Sequence, residues 1–438
     1  MMLKLYNYLF KSYHRPSSKF FHLVALLQTF FFNKKSKIMS ERMMLLKSPP
    51  ASTIFYNFFG RIFVLTINLF FILLFNKFFE SEVFIDSFEN KKNKKQHGHD
   101  HSSWPEQAIH TFENNKELNN EIYKKIQENY IASIISLENN KNFKDSPWWT
   151  ECRKEFRSIF INDDGSLNQY EFQNFRKSKQ TKAALLADQN FLSGDIESRS
   201  NKVKSLSLIN LYHKLSEIID IDILRSASES YSGNSVCLNY RGQRLNHRVL
   251  RYAYYSSQII KNTNFSKIEK KIILDLGGGY GGLSRMLYNQ MSNVIPIIIE
   301  LPEVCALAHY FFKNNYPDIK IGTFNDVSNL EKIDASIINN YDILILPQTC
   351  IEKIDDNTID LSINTTSLSE MTNEVQDYYI NQFERITKKY FYSVNRAKVR
   401  KDKYNAKGFY DLKFNSRWKS KIYKYSHTYH IEFLGEKY

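Results

Sequence analysis

Cysteine is scarce in this chain. Its 438 residues hold four, Cys152, Cys237, Cys305 and Cys350, and no two form a CxxC pair. That spacing argues against a disulfide framework or a zinc knuckle and favours a reducing compartment. No internal repeat is present, which removes solenoid and propeller architectures. Acidic residues are nearly missing from residues 1–77, which hold eleven Lys/Arg against one acid, Glu41. Residues 396–424 repeat the pattern, with eleven against Asp402 and Asp411. The stretch between is net acidic, so the net charge of +14 belongs to two terminal blocks. Such blocks suit membrane-surface attraction or an anionic substrate better than nucleic acid. The C-terminal block also reads as an ordinary solvated surface. Glycine is rare too, with 14 in all, yet five of them fall within the six residues 277–282.

Hydrophobic residues make up 42% of the chain, enough for a sizeable core, and the length suits two or three domains. Residues 53–75, "TIFYNFFGRIFVLTINLFFILLF", carry a single charge, Arg61. As a helix they reach about 35 Å, enough to span a bilayer or to lie in its interface. The positive flank (Lys34, Lys35, Lys37, Arg42, Lys47) predicts the N-terminus inside. A single span would then place the rest outside, against a cofactor made in the cytosol. An in-plane helix, a second insertion at 20–32, or a start at Met39, Met43 or Met44 each removes the conflict. We therefore expect a membrane-associating segment at 1–87 and a charged linker at 88–105. His97, His99 and His101 in that linker read as solvated rather than as metal ligands. A mostly helical region at 106–265 should cover the site and help choose the acceptor. Within it "FINDDGSLNQYE" (160–171) resembles a calcium loop, but Phe160 stands where the first ligand belongs, so a plain turn is expected. From 266 to 438, short apolar runs alternate with helical patterns: "IILDL", "VIPIIIE", "YDILILP", "IDLSIN", "KYFYSVN". That texture predicts an α/β fold with a parallel sheet covered on both faces. "YDILILP" is preferred to "IKIGTF" as the third strand, because "EKIDDNTIDL" then forms a short crossing into the fourth.

The glycines follow the first of these strands and open a helix. Such a turn lets the backbone touch a ligand at the carboxyl ends of the strands. Gly277-x-Gly279-x-x-Gly282 matches a dinucleotide fingerprint; Asp275 before Gly277-x-Gly279-x-Gly281 matches an S-adenosylmethionine pattern. Asp275 favours the second, since a carboxylate would repel a pyrophosphate and would attract an ammonium and a sulfonium. Glu300, at the end of the next strand, is placed to accept ribose hydroxyls. Gly278, Tyr280, Leu301 and Asn364 complete the expected cofactor contacts, with Gln348 at the adenine edge.

"DLGGGYGGLSR", "IELPEVCALAHYFF" (299–312), "ILPQTCIEKIDDNTIDLSINTTSLSEM" (345–371) and "YFYSVNR" (390–396) occur in that order. Together they resemble the sugar O-methyltransferase family of class I S-adenosylmethionine-dependent enzymes, over about residues 200–400. One departure is Glu300, where Asp is expected in many relatives; either accepts from a ribose. The resemblance implies a Rossmann-like sheet, S-adenosylmethionine as cofactor, and O-methylation of a sugar in a surface polysaccharide or glycolipid precursor. The acceptor would be held on a lipid diphosphate or nucleotide, with the catalytic domain cytoplasmic at the membrane.

A sugar hydroxyl is a weak nucleophile, so a general base helps. Glu370 is the leading candidate; its alternative is a capping box with Ser367. Ser367, Asn395 and Arg396 are expected on the acceptor side, Arg396 suiting a phosphate or uronate. His309, His427 and His430 read as structural, and no metal is expected. Rival readings are methylation of protein, lipid or a small molecule, a non-catalytic scaffold, and a nicotinamide enzyme. Nucleic acid is not an expected partner, and no signature of a particular oligomeric state stands out.

Overall fold

The computed structural model describes residues 84–86, 118–140, 143, 145–176, 208, 211–213, 215–235, 237–265, 269–291, 293–397, 399, 406–414, 418–426 and 430–438. The expected membrane segment at 53–75, the linker at 88–105 and His427 lie outside them.

The apolar runs become strands of one eight-stranded sheet. They are β1 (Lys271–Leu276), β2 (Val294–Glu300), β3 (Ile321–Gly322), β4 (Ile343–Pro347), β5 (Ile359–Thr365), β6 (Thr387–Arg396), β7 (Trp418–Tyr425) and β8 (His430–Lys437). Their spatial order is β3-β4-β2-β1-β5-β6-β8-β7. The first six run parallel, and β8 runs antiparallel between β6 and β7. "YDILILP" is therefore the strand beside β2, while "IKIGTF" supplies only the two-residue edge strand β3.

Both faces of the sheet are covered, which is why its strands read as nearly unbroken apolar runs. On β1, Ile273 joins a cluster with Leu250, Ala253 and Leu283. Its neighbours Ile272, Leu274 and Leu276 join Ile297, Leu346, Phe383 and Phe391 on the opposite face, as the two-residue strand period requires.

The long helices are α1 (Asn120–Glu138), α2 (Pro147–Phe160), α3 (His247–Asn262), α4 (Gly282–Gln290), α5 (Pro302–Asn315) and α6 (Asn373–Ile386). Asn246 starts α3, its side chain accepting from the Val249 N–H at 2.8 Å. Ser146 and Pro147 start α2 in the same manner, cap then first-turn proline. The helical region before 265 shares its core with the sheet. Tyr123, Phe156 and Phe160 pack with Tyr310 and Phe311 of α5, and Leu250 and Ile259 pack with β1 and β6 residues. Arg153 of α2 donates to the buried Glu303 of α5 at 2.9 Å, so Glu303 of the Leu-Pro-Glu motif braces α2.

One element was not expected. Residues Cys237–Tyr240 and Gln243–Leu245 form an antiparallel hairpin inside the helical region. Arg241 and Gly242 at its turn both have positive φ, 51° and 74°, the two-residue turn whose twist matches the strands. Phe84–Asp86 adds a third strand beside Cys237–Asn239.

Candidate active site

Strand order reverses direction at β1, with β2 on one side and β5 on the other. The carboxyl ends of these strands open on a cleft, as this topology dictates. The cleft has two compartments. One, about 590 Å³, is mostly apolar: Phe143, Leu276, Leu301, Met371, Val375 and Tyr379 line it, with Gln348 as a polar member. The other, about 950 Å³ with its open mouth, is polar and carries Asp275, Glu300, Glu370, Arg248, Arg251 and Arg396. Trp149, Gly277, Glu300 and Ser367 belong to both.

The glycine loop forms the floor. Gly277, Gly279 and Gly281 have φ of 69°, 61° and 90°, the left-handed region that side-chain-bearing residues avoid. Each serves a different end. A Cβ on Gly277 would collide with Ser367, and one on Gly281 would meet Phe312 and Ile298 behind the loop. A Cβ on Gly279 would meet nothing within 4 Å.

Two carboxylates hold this loop. Asp275, one residue from the end of β1, is buried, and its Oδ2 accepts from Ser284 Oγ of α4 at 3.0 Å. Its Oδ1 is buried with no hydrogen-bond partner. Burial raises its pKa to about 7; Ser284 opposes the shift and Glu300 adds to it. Glu300 ends β2 and accepts from the Gly279 N–H at 2.9 Å and the Leu301 N–H at 2.8 Å. Burial raises its pKa to about 7 against those two donors. Both acids thus sit near the midpoint of titration at neutral pH. In the apolar compartment, Gln348 Oε1 is also buried without a partner.

Glu370 does not complete a capping box. Leu368–Glu370 is a single 3₁₀ turn, and Ser367 makes no side-chain cap bond to it. The Ser367 hydroxyl instead donates to the Leu276 carbonyl at 3.2 Å and accepts from Asn364 Nδ2 at 2.6 Å. The Glu370 carboxylate is left facing the cleft, where Oε1 accepts from Arg396 Nη2 at 3.2 Å.

Of the residues read from sequence, Asp275, Gly277, Gly278, Gly279, Glu300, Leu301, Gln348, Ser367, Glu370 and Arg396 line the cleft. Four do not. Tyr280 turns inward onto Phe311, Phe175 and the Arg176 guanidinium, and is 1% exposed. Gly281 is a helix cap packed on α5. Asn364 and Asn395 are buried behind the loop and bond each other: Asn395 Nδ2 donates to Asn364 Oδ1 at 2.8 Å. Asn364 Nδ2 donates to the Leu276 carbonyl at 2.9 Å, and Asn395 Oδ1 accepts from the Ser369 N–H. They are braces for the β5 and β6 ends, not ligands. His309 is buried on α5, where burial and Lys313 lower its pKa to about 4. His430, expected to be structural, lines the cleft at the start of β8.

Sequence reasoning missed one wall. Arg248, Arg251, Tyr252 and Tyr255 of α3 line the polar compartment. Their spacing, i, i+3, i+4 and i+7, puts them on one helix face; that stripe, just before the glycine strand, was the available signal. Thr365 and Thr366 were missed as well. Thr366 has φ 70°, rare for a β-branched residue.

No family model and no curated protein matches the chain. Among solved structures it is similar to a protein from Pyrococcus horikoshii OT3, with TM-score 0.33, 12% identity, and 44% of this chain and 92% of that one covered. It is also similar to the mitomycin 7-O-methyltransferase, with TM-score 0.27, 11% identity, and coverage of 43% and 57%. A third is magnesium protoporphyrin IX methyltransferase from Synechocystis PCC 6803, with TM-score 0.30, 10% identity, and coverage of 43% and 78%. The alignment spans less than two thirds of the mitomycin enzyme. Likenesses this loose carry no argument about this chain; its own strand pairing gives a mixed α/β fold with a mostly parallel sheet.

Proposed function

We propose that this chain transfers the methyl group of S-adenosylmethionine to a hydroxyl of a sugar, in a surface polysaccharide or glycolipid precursor. The observation that carries the cofactor is a side-chain-free loop flanked by two buried carboxylates, Asp275 and Glu300. The residues present fit that group. The unpartnered Asp275 Oδ1 suits a cationic ligand, which also relieves the cost of its burial. Glu300 keeps a further lone pair on each oxygen for ribose hydroxyls. The unpartnered Gln348 Oε1, in the apolar compartment, suits an adenine amino group. A pyrophosphate would meet carboxylates at the same loop, which argues against a nicotinamide cofactor.

When bound, S-adenosylmethionine supplies a methyl carbon already activated by its sulfonium leaving group. The protein's own tasks are alignment and removal of one proton. Glu370 accepts the hydroxyl proton as the acceptor oxygen attacks, and Arg396 holds that carboxylate in place. Ser367 and Asn364 keep the β5 loop against the glycines. The sugar acceptor itself is supported by the family resemblance of residues 271–396. The hydrophobic run 53–75 and the basic stretch 396–424 suit an acceptor on a membrane lipid diphosphate or a nucleotide, with catalysis on the cytoplasmic side.

Two measurements test this. Calorimetric titration of the full chain should give micromolar binding of S-adenosylhomocysteine and none of NAD(H); the reverse result refutes the cofactor assignment. Glu370→Gln should bind S-adenosylhomocysteine as the unaltered chain does, while turnover falls by ~10²–10⁴. Unchanged turnover would transfer the proton-removing role to His430, in the same cleft.

A further inference from the structure

Among the described residues, Trp149, Gly277, Glu300 and Ser367 line both compartments of the cleft. Three of them come from the carboxyl edge of the sheet. Trp149 comes from the first turn of α2, in the helical region expected to cover the acceptor. It does not arrive alone. Phe143, Asp145 and Ser146, just before α2, line the apolar compartment with it. The same compartment takes Ile299, Leu301 and Gln348 from the sheet edge and Tyr379 from α6. The helical region thus supplies part of the wall around the very space that holds the unpartnered Gln348 Oε1.

That wall is fixed at several points. Arg153, one turn after Trp149, donates through Nη1 to Asp145 at 2.6 Å and through Nε to Glu303 at 2.9 Å. Glu303 is fully buried and belongs to the same Glu-Leu-Pro-Glu run as Glu300 and Leu301. One run of α5 residues therefore anchors α2 and lines the cleft. Phe143 meets the rings of Tyr378 and Tyr379 of α6, with centroids 5.3 and 6.0 Å away. Trp149 itself is only partly buried against the aromatic cluster behind it.

A partly exposed tryptophan is ordinary on a protein surface. One at the joint of two compartments, beside Glu300 and Gly277, is placed differently. A ligand with an apolar ring in one compartment and a charged end in the other must cross this joint. S-adenosylmethionine and its product have that form: a purine, a ribose and an amino acid in line. We infer that Trp149 is a cofactor-binding residue of the helical region, packed against the adenosine part of the ligand. An indole there offers a broad apolar surface at little cost in conformational freedom. This rests on the methyltransferase reading. The rival is contact with the acceptor alone, in the polar compartment. The place of Trp149 in the apolar compartment, with Phe143 and Gln348, argues for the cofactor.

The test is tryptophan fluorescence of the full chain, titrated with S-adenosylhomocysteine, 5′-methylthioadenosine and homocysteine, with calorimetry in parallel. S-adenosylhomocysteine and 5′-methylthioadenosine should both change the emission; homocysteine, which lacks the adenosine, should not. Trp149→Phe leaves Trp104, Trp148 and Trp418 as the emitters. It keeps an aromatic ring, so affinity should stay within about threefold, yet most of the emission change should disappear. Trp149→Ala should weaken S-adenosylhomocysteine binding at least about fivefold, the least expected when a base loses an aromatic neighbour. If Trp149→Ala melts too low to titrate, the emission of Trp149→Phe decides by itself. An emission change that survives Trp149→Phe overturns the inference. So does calorimetric binding to the unaltered chain with no emission change, or a response to homocysteine but not to 5′-methylthioadenosine. Each of those outcomes leaves the cofactor reading intact. Failure of the unaltered chain to bind S-adenosylhomocysteine overturns both.

Discussion

Gly277→Ala is expected to lose S-adenosylhomocysteine binding altogether and to melt at a clearly lower temperature than the unaltered chain. Two independent effects combine. The first is backbone strain: φ at this position is 69°, and holding a residue with a Cβ there costs about 1–2 kcal/mol. The second is steric. The new methyl would fall on the Ser367 side chain, which is itself bound to the Leu276 carbonyl and to Asn364. Forcing an extra carbon into such a site costs about 1–3 kcal/mol. Because Ser367 and Gly277 line both compartments, the displacement narrows the cleft where they meet. Adding Ser367→Gly separates the two effects. The double variant should recover the steric part of the melting temperature and keep the strain. Normal ligand affinity in Gly277→Ala would mean that the ligand does not lie against this loop.

The second large effect is on pH. S-adenosylhomocysteine should bind more tightly as pH rises through about 7, with release of protons. Burial raises the pKa values of Asp275 and Glu300 to about 7, from 3.8 and 4.5. A carboxylate raised in the folded state contributes stability that is fully present below its unfolded pKa and is lost as pH rises through the folded value. At pH 6 both acids are therefore largely protonated; at pH 8 they are largely charged. An ammonium near Asp275 and hydroxyls donating to Glu300 favour the charged forms, so binding expels protons. Affinity should change by up to about tenfold per pH unit for each proton released. Titrations in buffers of different ionisation enthalpy count those protons directly. Asp275→Asn should flatten the pH dependence and weaken binding at pH 8. A pyrophosphate ligand would give the opposite sign, taking up protons and binding better at low pH.

The sheet was legible because parallel strands covered on both faces must be apolar at nearly every position, and β1, β2 and β4 are. The loop was legible because five glycines in six residues have few structural explanations. Beyond that, burial decides, and sequence does not display burial. Tyr280 stands among the glycines and reads as a ligand contact by adjacency. Left-handed φ values at Gly279 and Gly281 on either side turn its ring into the α5 core. Asn364 and Asn395 end strands at the productive edge, yet each finds its partners in the other and in nearby backbone. The α3 wall was hidden for the converse reason. Arginine and tyrosine at helical spacing look like an ordinary amphipathic surface until a cleft is known to open there.

The shared walls of the cleft have a consequence for substitutions made on them. In the polar compartment Asp275, Gly277, Gly278, Gly279 and Glu300 build one side, while α3, Arg396 and His430 build much of the other. Among the described residues, Trp149, Gly277, Glu300 and Ser367 line both compartments. Substitutions along Arg248–Tyr255 therefore reach the glycine loop too, since Tyr252 packs on Gly282 and Arg248 lies over the Tyr280 ring. A change on that helix face is thus felt on both sides of the polar compartment at once.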